Sequence, residues 1–402
     1  MKKQNGLIEN YGNQQGFTLV EFMVASVLGL VVIAGAGALY SYTKRLNDVG
    51  MARVATLQDL RAASTMISQD ARSAGVFGCA SLGRQNAPDT LNGEIVVDAP
   101  NTLTGPQMLT NLTDTTNPAA GVRWVKASAA TGLTGIWNSG FTPQSGVLLF
   151  YYGEGSLAYK SEAGNVVTFN AKEGHPNKIV ESILTSGNGG YLVASGCNVL
   201  QLEQVAATGS PVSNGPNEKQ VTINATLPAL ANPTSLPAGA AAMGSYADMI
   251  LQRYKVVAYV VGNIAGEPTS LYRFEFGANG NGWSPAQQLA KNVTNMTAEY
   301  LFVTECPSGT ITASGSPSGG SGSTLATIND QKYTVQSADD GNVLNDASVG
   351  NQGPSSVRLT LTYNFPTIRG GSVATGGTGE EFVITSTVRG GNVCASRKLM
   401  KL

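Results

Sequence analysis

Glu21 is the residue whose position most demands a chemical explanation. It stands in a run from Phe17 to Tyr40 in which every other residue except Thr18 and Ser26 is apolar, Gly or Tyr. A carboxylate at the centre of a membrane-spanning helix costs about 2.5–3.5 kcal/mol, and somewhat less near an interface. A residue kept at that cost calls for a cationic partner. Elsewhere the chain offers little that could catalyse. Its only histidine, His175, lies in Glu173-Gly174-His175-Pro176, a turn sequence. One imidazole cannot build a His-based metal site, and no G-x-S-x-G, H-E-x-x-H or Walker A spacing is present. Asp339-Asp340-Gly341-Asn342, followed by Asn345-Asp346, supplies the oxygen ligands that calcium takes, which makes Asp339, Asp340 and Asp346 weak metal candidates. The EF-hand spacing and its closing Glu are missing, so an ordinary polar turn is the simpler reading. No cofactor is expected, and an enzyme is the least favoured class.

Four cysteines, Cys79, Cys197, Cys306 and Cys394, are widely spaced and form no CxxC pair. They fit two disulfides in an oxidising compartment better than a metal site. Three pairings are open. Sequence order favours Cys79 with Cys197 and Cys306 with Cys394, and four buried free thiols are the alternative. With 25 basic and 26 acidic residues the formal net charge is -1, so no electrostatic footprint for nucleic acid spans the molecule. The apolar fraction of 42% is enough for a real core. A charged fraction of 13% beside 49 glycines implies a surface of Ser, Thr, Asn and Gly.

The element that must carry Glu21 is a helix. Residues 1–16 are polar, with Lys2 and Lys3 at the front, and end abruptly at Gly16. Phe17 to Tyr40 would make about 36 Å of helix, enough to cross a hydrocarbon core about 30 Å thick. From Ser41 to Ser73 there is no proline and a single glycine, Gly50, so the helix can continue beyond the membrane. Leu46, Val49, Arg53, Leu57, Leu60, Ser64, Ile67, Ala71 and Ala74 recur at three- and four-residue steps and predict a mostly apolar stripe. The whole helix, Phe17 to Ala74, would be about 87 Å long. An ordinary secretory signal, cut at Ala36-Gly37-Ala38, competes with this reading. A charge inside the apolar region and a run longer than the usual h-region speak against it.

After Gly75 the pattern becomes short β-branched or aromatic runs between Gly, Pro, Asn and Ser clusters, which predicts a β-rich head. Expected strands are 146–152, 165–170, 219–225, 255–262, 270–276, 297–304, 356–363 and 381–388. Alternation over Val357 to Tyr363 predicts a sheet with one face on the helix and one in water. Tyr151-Tyr152 and Tyr254 with Tyr259 read as strand packing rather than an aromatic binding platform. Pro307 to Thr324, Pro211 to Asn217 and Ala231 to Ala240 read as loops. A subdivision of the head could fall near Gly244.

Gly16-Phe17-Thr18-Leu19-Val20-Glu21 resembles the processing site of type IV prepilins, and further blocks resemble the minor-pilin PilW family. These are Leu60-Arg61-Ala62 through Ala74-Gly75-Val76-Phe77-Gly78-Cys79, Ser270-Leu271-Tyr272-Arg273, Leu289 to Met296, Ser356-Val357-Arg358-Leu359 and Phe382 to Arg389. Ser73, between Arg72 and Ala74, departs slightly from the family pattern, and Cys79 to about Gly244 matches no block of it. The resemblance implies cleavage between Gly16 and Phe17, N-methylation of Phe17, and a pairing of Glu21 with the terminal amine of a neighbouring subunit. It implies an α+β, type IV pilin-like fold: a leader over 1–16, a transmembrane and filament-core helix over 17–40, its amphipathic continuation over 41–75, and a β-rich head over 76–402. Implied partners are a prepilin peptidase, other minor pilins, the major pilin, the inner-membrane assembly platform, and the membrane itself through residues 17–40. Loop charges do not set orientation, because Lys2 and Lys3 face Lys44, Arg45 and Arg53 across the span. The cysteines and the resemblance place the C-terminus in the periplasm and later on a pilus. The expected function is to initiate or cap a type IV pilus. The alternatives are a minor pseudopilin of type II secretion, which has a smaller head, and a tip module that binds a surface or DNA.

Overall fold

The computed structural model describes residues 17–78, 80–81, 96–98, 121–130, 133, 135–137, 140–163, 166–170, 190–195, 199–205, 212–213, 218–222, 250–276, 282–305, 332–338, 354–369, 372–375 and 379–388. Its elements are helix α1 (Leu19–Ser73), then β1 (Val76–Phe77), β2 (Ala80–Ser81), β3 (Val96–Asp98), β4 (Val122–Val125), the short helix α2 (Ala127–Ala130), β5 (Phe141–Ala163), β6 (Val166–Asn170), β7 (Tyr191–Ser195), β8 (Val199–Gln204), β9 (Val212–Ser213) and β10 (Glu218–Thr222). They continue with β11 (Ile250–Ile264), β12 (Ser270–Phe276), β13 (Gln287–Lys291), β14 (Val293–Glu305), β15 (Lys332–Ser337), β16 (Ser356–Tyr363), β17 (Pro366–Arg369), β18 (Ser372–Thr375) and β19 (Glu380–Thr387). A long N-terminal helix followed by β-rich sequence in antiparallel sheets is the α+β, pilin-like architecture expected. Each expected strand is present: 270–276 and 356–363 match as expected, 146–152 lies inside the much longer β5, and the other ends shift by up to five residues. The loop reading of Pro211 to Asn217 is corrected at Val212 and Ser213, which pair with Gln220 and Lys219. Pro307 to Thr324, Ala231 to Ala240 and Gly244 lie outside the described residues.

The chain divides into two compact units, Met1–Val54 with Pro366–Gly376, and Ala55–Phe365 with Gly377–Leu402. In the first, α1 is apolar on all sides from Leu19 to Tyr40 and exposed among the described residues: Leu19, Phe22, Val32, Ile33 and Leu39 are each at least 67% exposed. Leu46 and Arg53 of the expected stripe are exposed too, so that stripe is not buried before Thr56. The other element of that unit is the β17–β18 hairpin, in register from Pro366↔Thr375 to Arg369↔Ser372.

In the second unit α1 becomes amphipathic and buries Thr56, Leu60, Ala63, Ile67, Asp70 and Ala71. This differs from the expected stripe, because Ala63 replaces Ser64 and a charged residue, Asp70, joins the buried face. Ser64 stays half-buried and turns its hydroxyl onto the Arg61 carbonyl at 2.9 Å, which needs no partner from the sheets. The helix stops where Gly75 adopts a left-handed conformation (φ 74°) and its amide donates to the Tyr151 carbonyl at 2.8 Å.

Among the described residues the larger sheet has 11 strands, in the order β3-β8-β7-β11-β5-β6-β10-β9, with β12 beside β11, β13 beside β12 and β4 beside β5. Only β3 and β8 run parallel. The smaller sheet is β15-β14-β16-β19, all antiparallel. Asn292, with φ 59°, lets the chain leave β13 in one sheet and enter β14 in the other. Leu60, Ala63, Ile67 and Ala71 share one core with Leu148 and Phe150 of β5, Val257, Tyr259 and Val261 of β11, and Tyr300, Leu359 and Leu361 of the smaller sheet. Burying Leu60 or Ile67 is worth about 1.5–3 kcal/mol each. The expected alternation holds in β16, where Val357, Leu359, Leu361 and Tyr363 are buried and Arg358, Thr360 and Thr362 are less so. It fails in β11, which is buried on both faces, because Val256, Ala258 and Val260 enter a second core with Phe77, Phe141, Tyr272 and Phe274.

Gly121 (φ +80°) crosses the end of α1 so closely that a Cβ would lie 1.9 Å from the Gly75 nitrogen. Neither backbone can retreat, since the Tyr151 amide donates to Gly121 and the Tyr151 carbonyl accepts from Gly75, both at 2.8 Å. Gly121→Ala is therefore expected to destabilise the chain by more than about 1 kcal/mol, read as a lowered denaturant midpoint of the detergent-solubilised protein.

Candidate functional site

Helix α1 begins with a reciprocal cap. The Glu21 amide donates to Thr18 Oγ1 at 3.3 Å, and Glu21 Oε2 accepts from the Thr18 amide and hydroxyl, both at 3.1 Å. Thr-x-x-Glu is the capping box, and it satisfies donors that a helix start leaves free. It also explains why the first helical residue is Leu19 rather than Phe17. Both bonds fall on one carboxylate oxygen, and the side chains around them are open: Phe17 is 83% and Leu19 74% exposed. Glu21 thus sits as a charge on an apolar helix surface that is exposed among the described residues.

A second carboxylate, at the far end of α1, is treated differently. Asp70 accepts from the Tyr152 hydroxyl at 2.7 Å on Oδ1, and on Oδ2 from the Tyr259 hydroxyl at 2.5 Å and from Nε and Nη2 of Arg273, each at 3.3 Å. Its donors come from three adjacent strands, β5, β11 and β12. Arg273 Nη1 continues to Glu275 at 2.9 Å, Lys255 joins Glu275 at 3.2 Å and Glu154 at 3.1 Å, and Arg253 approaches both carboxylates at 3.5 Å. Three cations therefore face three anions. A cleft of about 340 Å³ beside them is lined by Asp70, Ser73, Tyr152, Glu154, Lys255 and Arg273.

The electrostatics follow from the burial. Desolvation, then the Asp70 charge, push the Tyr152 and Tyr259 phenols far above their usual range, so both remain donors at any physiological pH. Burial works against the Arg273 charge, yet Asp70, Tyr259 and Glu275 hold its proton more firmly than usual. Burial likewise pushes the Glu275 carboxyl up, but Lys255 and Arg273 outweigh it and leave it below the ordinary glutamate value. On the other face of the sheet, burial alone lifts Tyr151 to about 12, partly opposed by Arg123.

Of the residues singled out in the sequence, Phe17 and Glu21 lie together at the helix start. Gly16, His175, Asp339, Asp340 and Asp346, and all of Cys79, Cys197, Cys306 and Cys394, lie outside the described residues. Among the described residues no group of three His, Cys, Asp or Glu is placed to hold a metal. Tyr152 and Tyr259 are packed in strands as expected, but their hydroxyls do more than pack. The sequence reading missed Asp70, whose signal was its place three residues after Ile67 on the buried stripe. It also missed Arg253, Lys255, Arg273 and Glu275, charges at core-facing strand positions.

Residues 11–37 match the family described as the prokaryotic N-terminal methylation motif. No curated protein and no solved structure matches the chain. The motif marks a type IV pilin-like or pseudopilin-like protein, a structural class handled by a prepilin peptidase and built into assemblies with other pilins. The match covers Glu21 and most of the exposed apolar segment, and α1 is long and apolar enough to cross a membrane.

Two outcomes follow for the buried cluster. Asp70→Ala leaves Arg273 without its main partner and should cost about 3–5 kcal/mol in denaturant unfolding. Glu275 has a folded pKa below its unfolded one, so the stability it contributes is present above about pH 4.5 and is lost as pH falls through the lower, folded value. Glu275→Gln should therefore be less stable than the wild type at pH 7, and the difference should shrink when thermal melts are repeated at progressively lower pH.

Proposed function

We propose that this chain is a minor type IV pilin resembling the PilW family, matured by cleavage between Gly16 and Phe17 and acting in the initiation or capping of a pilus. Residues 1–16 are then the leader, 17–40 the membrane and filament-core helix, 41–75 its amphipathic continuation and 76–402 the head. The head lies in the periplasm before assembly and on the fibre afterwards. The carrying observation is the Glu21 carboxylate, fifth residue after Gly16, on an apolar helix surface exposed among the described residues.

Cleavage creates a positive amine on Phe17. In a bundle of such helices that amine and the Glu21 carboxylate of an adjoining subunit are the two charges left in a low-dielectric setting, where attraction at about 4 Å is several-fold stronger than in water. Their pairing offsets the cost of burying either one and fixes the stagger between subunits. Thr18 supports this by holding the Glu21 carboxylate through Oε2 at the start of the helix. The size of the head favours a minor subunit, since a repeating subunit carrying it would crowd its neighbours along the shaft. The disulfide candidates Cys79, Cys197, Cys306 and Cys394 suit the oxidising side of the membrane.

N-terminal sequencing of membrane-extracted protein should read Phe17, methylated; a start near Leu39 would indicate ordinary secretion and overturn the reading. Glu21→Gln should leave membrane levels unchanged. If the pair is worth about 1.4 kcal/mol or more, recovery of that variant in sheared fibres should drop at least about tenfold. Deleting the protein should abolish surface pili while protein export continues; the reverse result would identify a secretion pseudopilin.

A further inference from the structure

We infer that Asp70 is a register lock, a directional contact that fixes the rotation and the axial position of α1 on the two sheets of the head. Backbone bonds at Gly75 pin the end of α1, but the apolar stripe along its length does not fix rotation or axial position by itself. Leu60, Ala63, Ile67, Ala71 and Ala74 form a smooth stripe in which three of five residues are alanine. Apolar burial is non-directional, so a helix displaced along such a stripe recovers much of its contact area. Asp70 has no such freedom. Its carboxylate is met by Tyr152 from β5, Tyr259 from β11 and Arg273 from β12, at 2.7, 2.5 and 3.3 Å. A slip of one residue moves the carboxylate by about 1.5 Å along the axis and about 100° around it. Every one of those bonds would then be lost, with the carboxylate and the guanidinium left buried and unpaired.

Chemistry on the strands supports the same role. Arg273 is held in place from its other end by Glu275, which Lys255 also engages. Arg253 and Lys255 both contact Glu154, so the receiving groups are themselves braced across β5, β11 and β12. A buried polar contact that specifies register is the best-attested use of such groups. An independent gauge of register lies on the other sheet, where Ser68 of α1 and Ser386 of β19 touch at 2.8 Å between their Oγ atoms.

The full-length protein in detergent, carrying Ser68→Cys and Ser386→Cys, should cross-link efficiently under mild oxidation, scored by mass spectrometry of the joined peptides. Replacing the buried pair with apolar side chains, Asp70→Leu with Arg273→Met, leaves neither charge without its partner. That variant should still melt cooperatively, yet its cross-link between positions 68 and 386 should fall severalfold, and in companions carrying Thr65→Cys or Arg72→Cys in place of Ser68→Cys the link to position 386 should rise. Tyr152→Phe with Tyr259→Phe removes two directional bonds without exposing a charge and should lower the yield in the same sense. A wild-type yield of the cross-link in whichever of these variants folds overturns the proposal. The readout lies within one chain and does not depend on assembly into any fibre, so it stands or falls separately from the pilin reading.

Discussion

The buried carboxylate of Asp70 is the contact on which the head's attachment to its helix turns. An isolated carboxylate removed from water carries a penalty of several kcal/mol, and even a good ion pair in the interior does little more than offset it. What makes Asp70 tolerable is the count and origin of its donors: two phenols and a guanidinium, each from a different strand. Arg273, Lys255 and Arg253 are balanced by Asp70, Glu275 and Glu154, so the cluster as a whole is neutral. Apolar residues of the same volume could match its contribution to stability. They could not match its geometry, since contacts among methyl groups do not distinguish one position of a helix from its neighbour.

Glu21 and Asp70 pose the same electrostatic problem at opposite ends of one helix, and the chain treats them in opposite ways. Asp70 has both oxygens engaged by groups drawn from far away in sequence. Glu21 has one oxygen engaged, by the residue three positions earlier, on a surface of Leu, Val, Ile and Phe side chains open on every side. A helix that is apolar all round is buried in something larger, whether bilayer or bundle. Asp70 is completed within the chain, whereas among the described residues Glu21 is held only by Thr18. The match of residues 11–37 to the methylation motif falls on the Glu21 end.

Much of this architecture was legible in the sequence because it rests on periodicity. The absence of proline from Ser41 to Ser73 and the three- and four-residue steps of apolar side chains gave the helix to within two residues. Strands such as Ser270–Phe276 and Ser356–Tyr363 are rich in alternating apolar positions and were found at their exact bounds. Gln287–Lys291 was not, since QQLAK has little strand propensity and is a strand only because β12 offers it an edge. Lys332–Ser337 pairs with β14 across more than twenty intervening residues, a partnership no local pattern encodes. Asp70 was hidden for a related reason. A charge on a helix reads as solvated, and only the tertiary placement of Tyr152, Tyr259 and Arg273 reverses that reading.

Yet the strands do record where the helix stops. Along the face that meets α1, β5 reads Leu148, Phe150, Tyr152, Glu154, and β11 in the opposite direction reads Val261, Tyr259, Val257, Lys255, Arg253. In both, side chains change from apolar to charged toward the same end, since Lys255 is paired with Tyr152 and Arg253 with Glu154. Strand β12 makes the same change from Leu271 to Arg273 and Glu275. The helix changes in step, with Leu60 and Ile67 over the apolar end and Asp70 over the boundary, and one turn later Gly75 turns the chain away. Three strands and a helix from distant parts of the chain thus share one transition from oil to charge. Because apolar surface left uncovered and charge left unpaired are both costly, that shared boundary limits how far α1 can extend across the sheet before it must end.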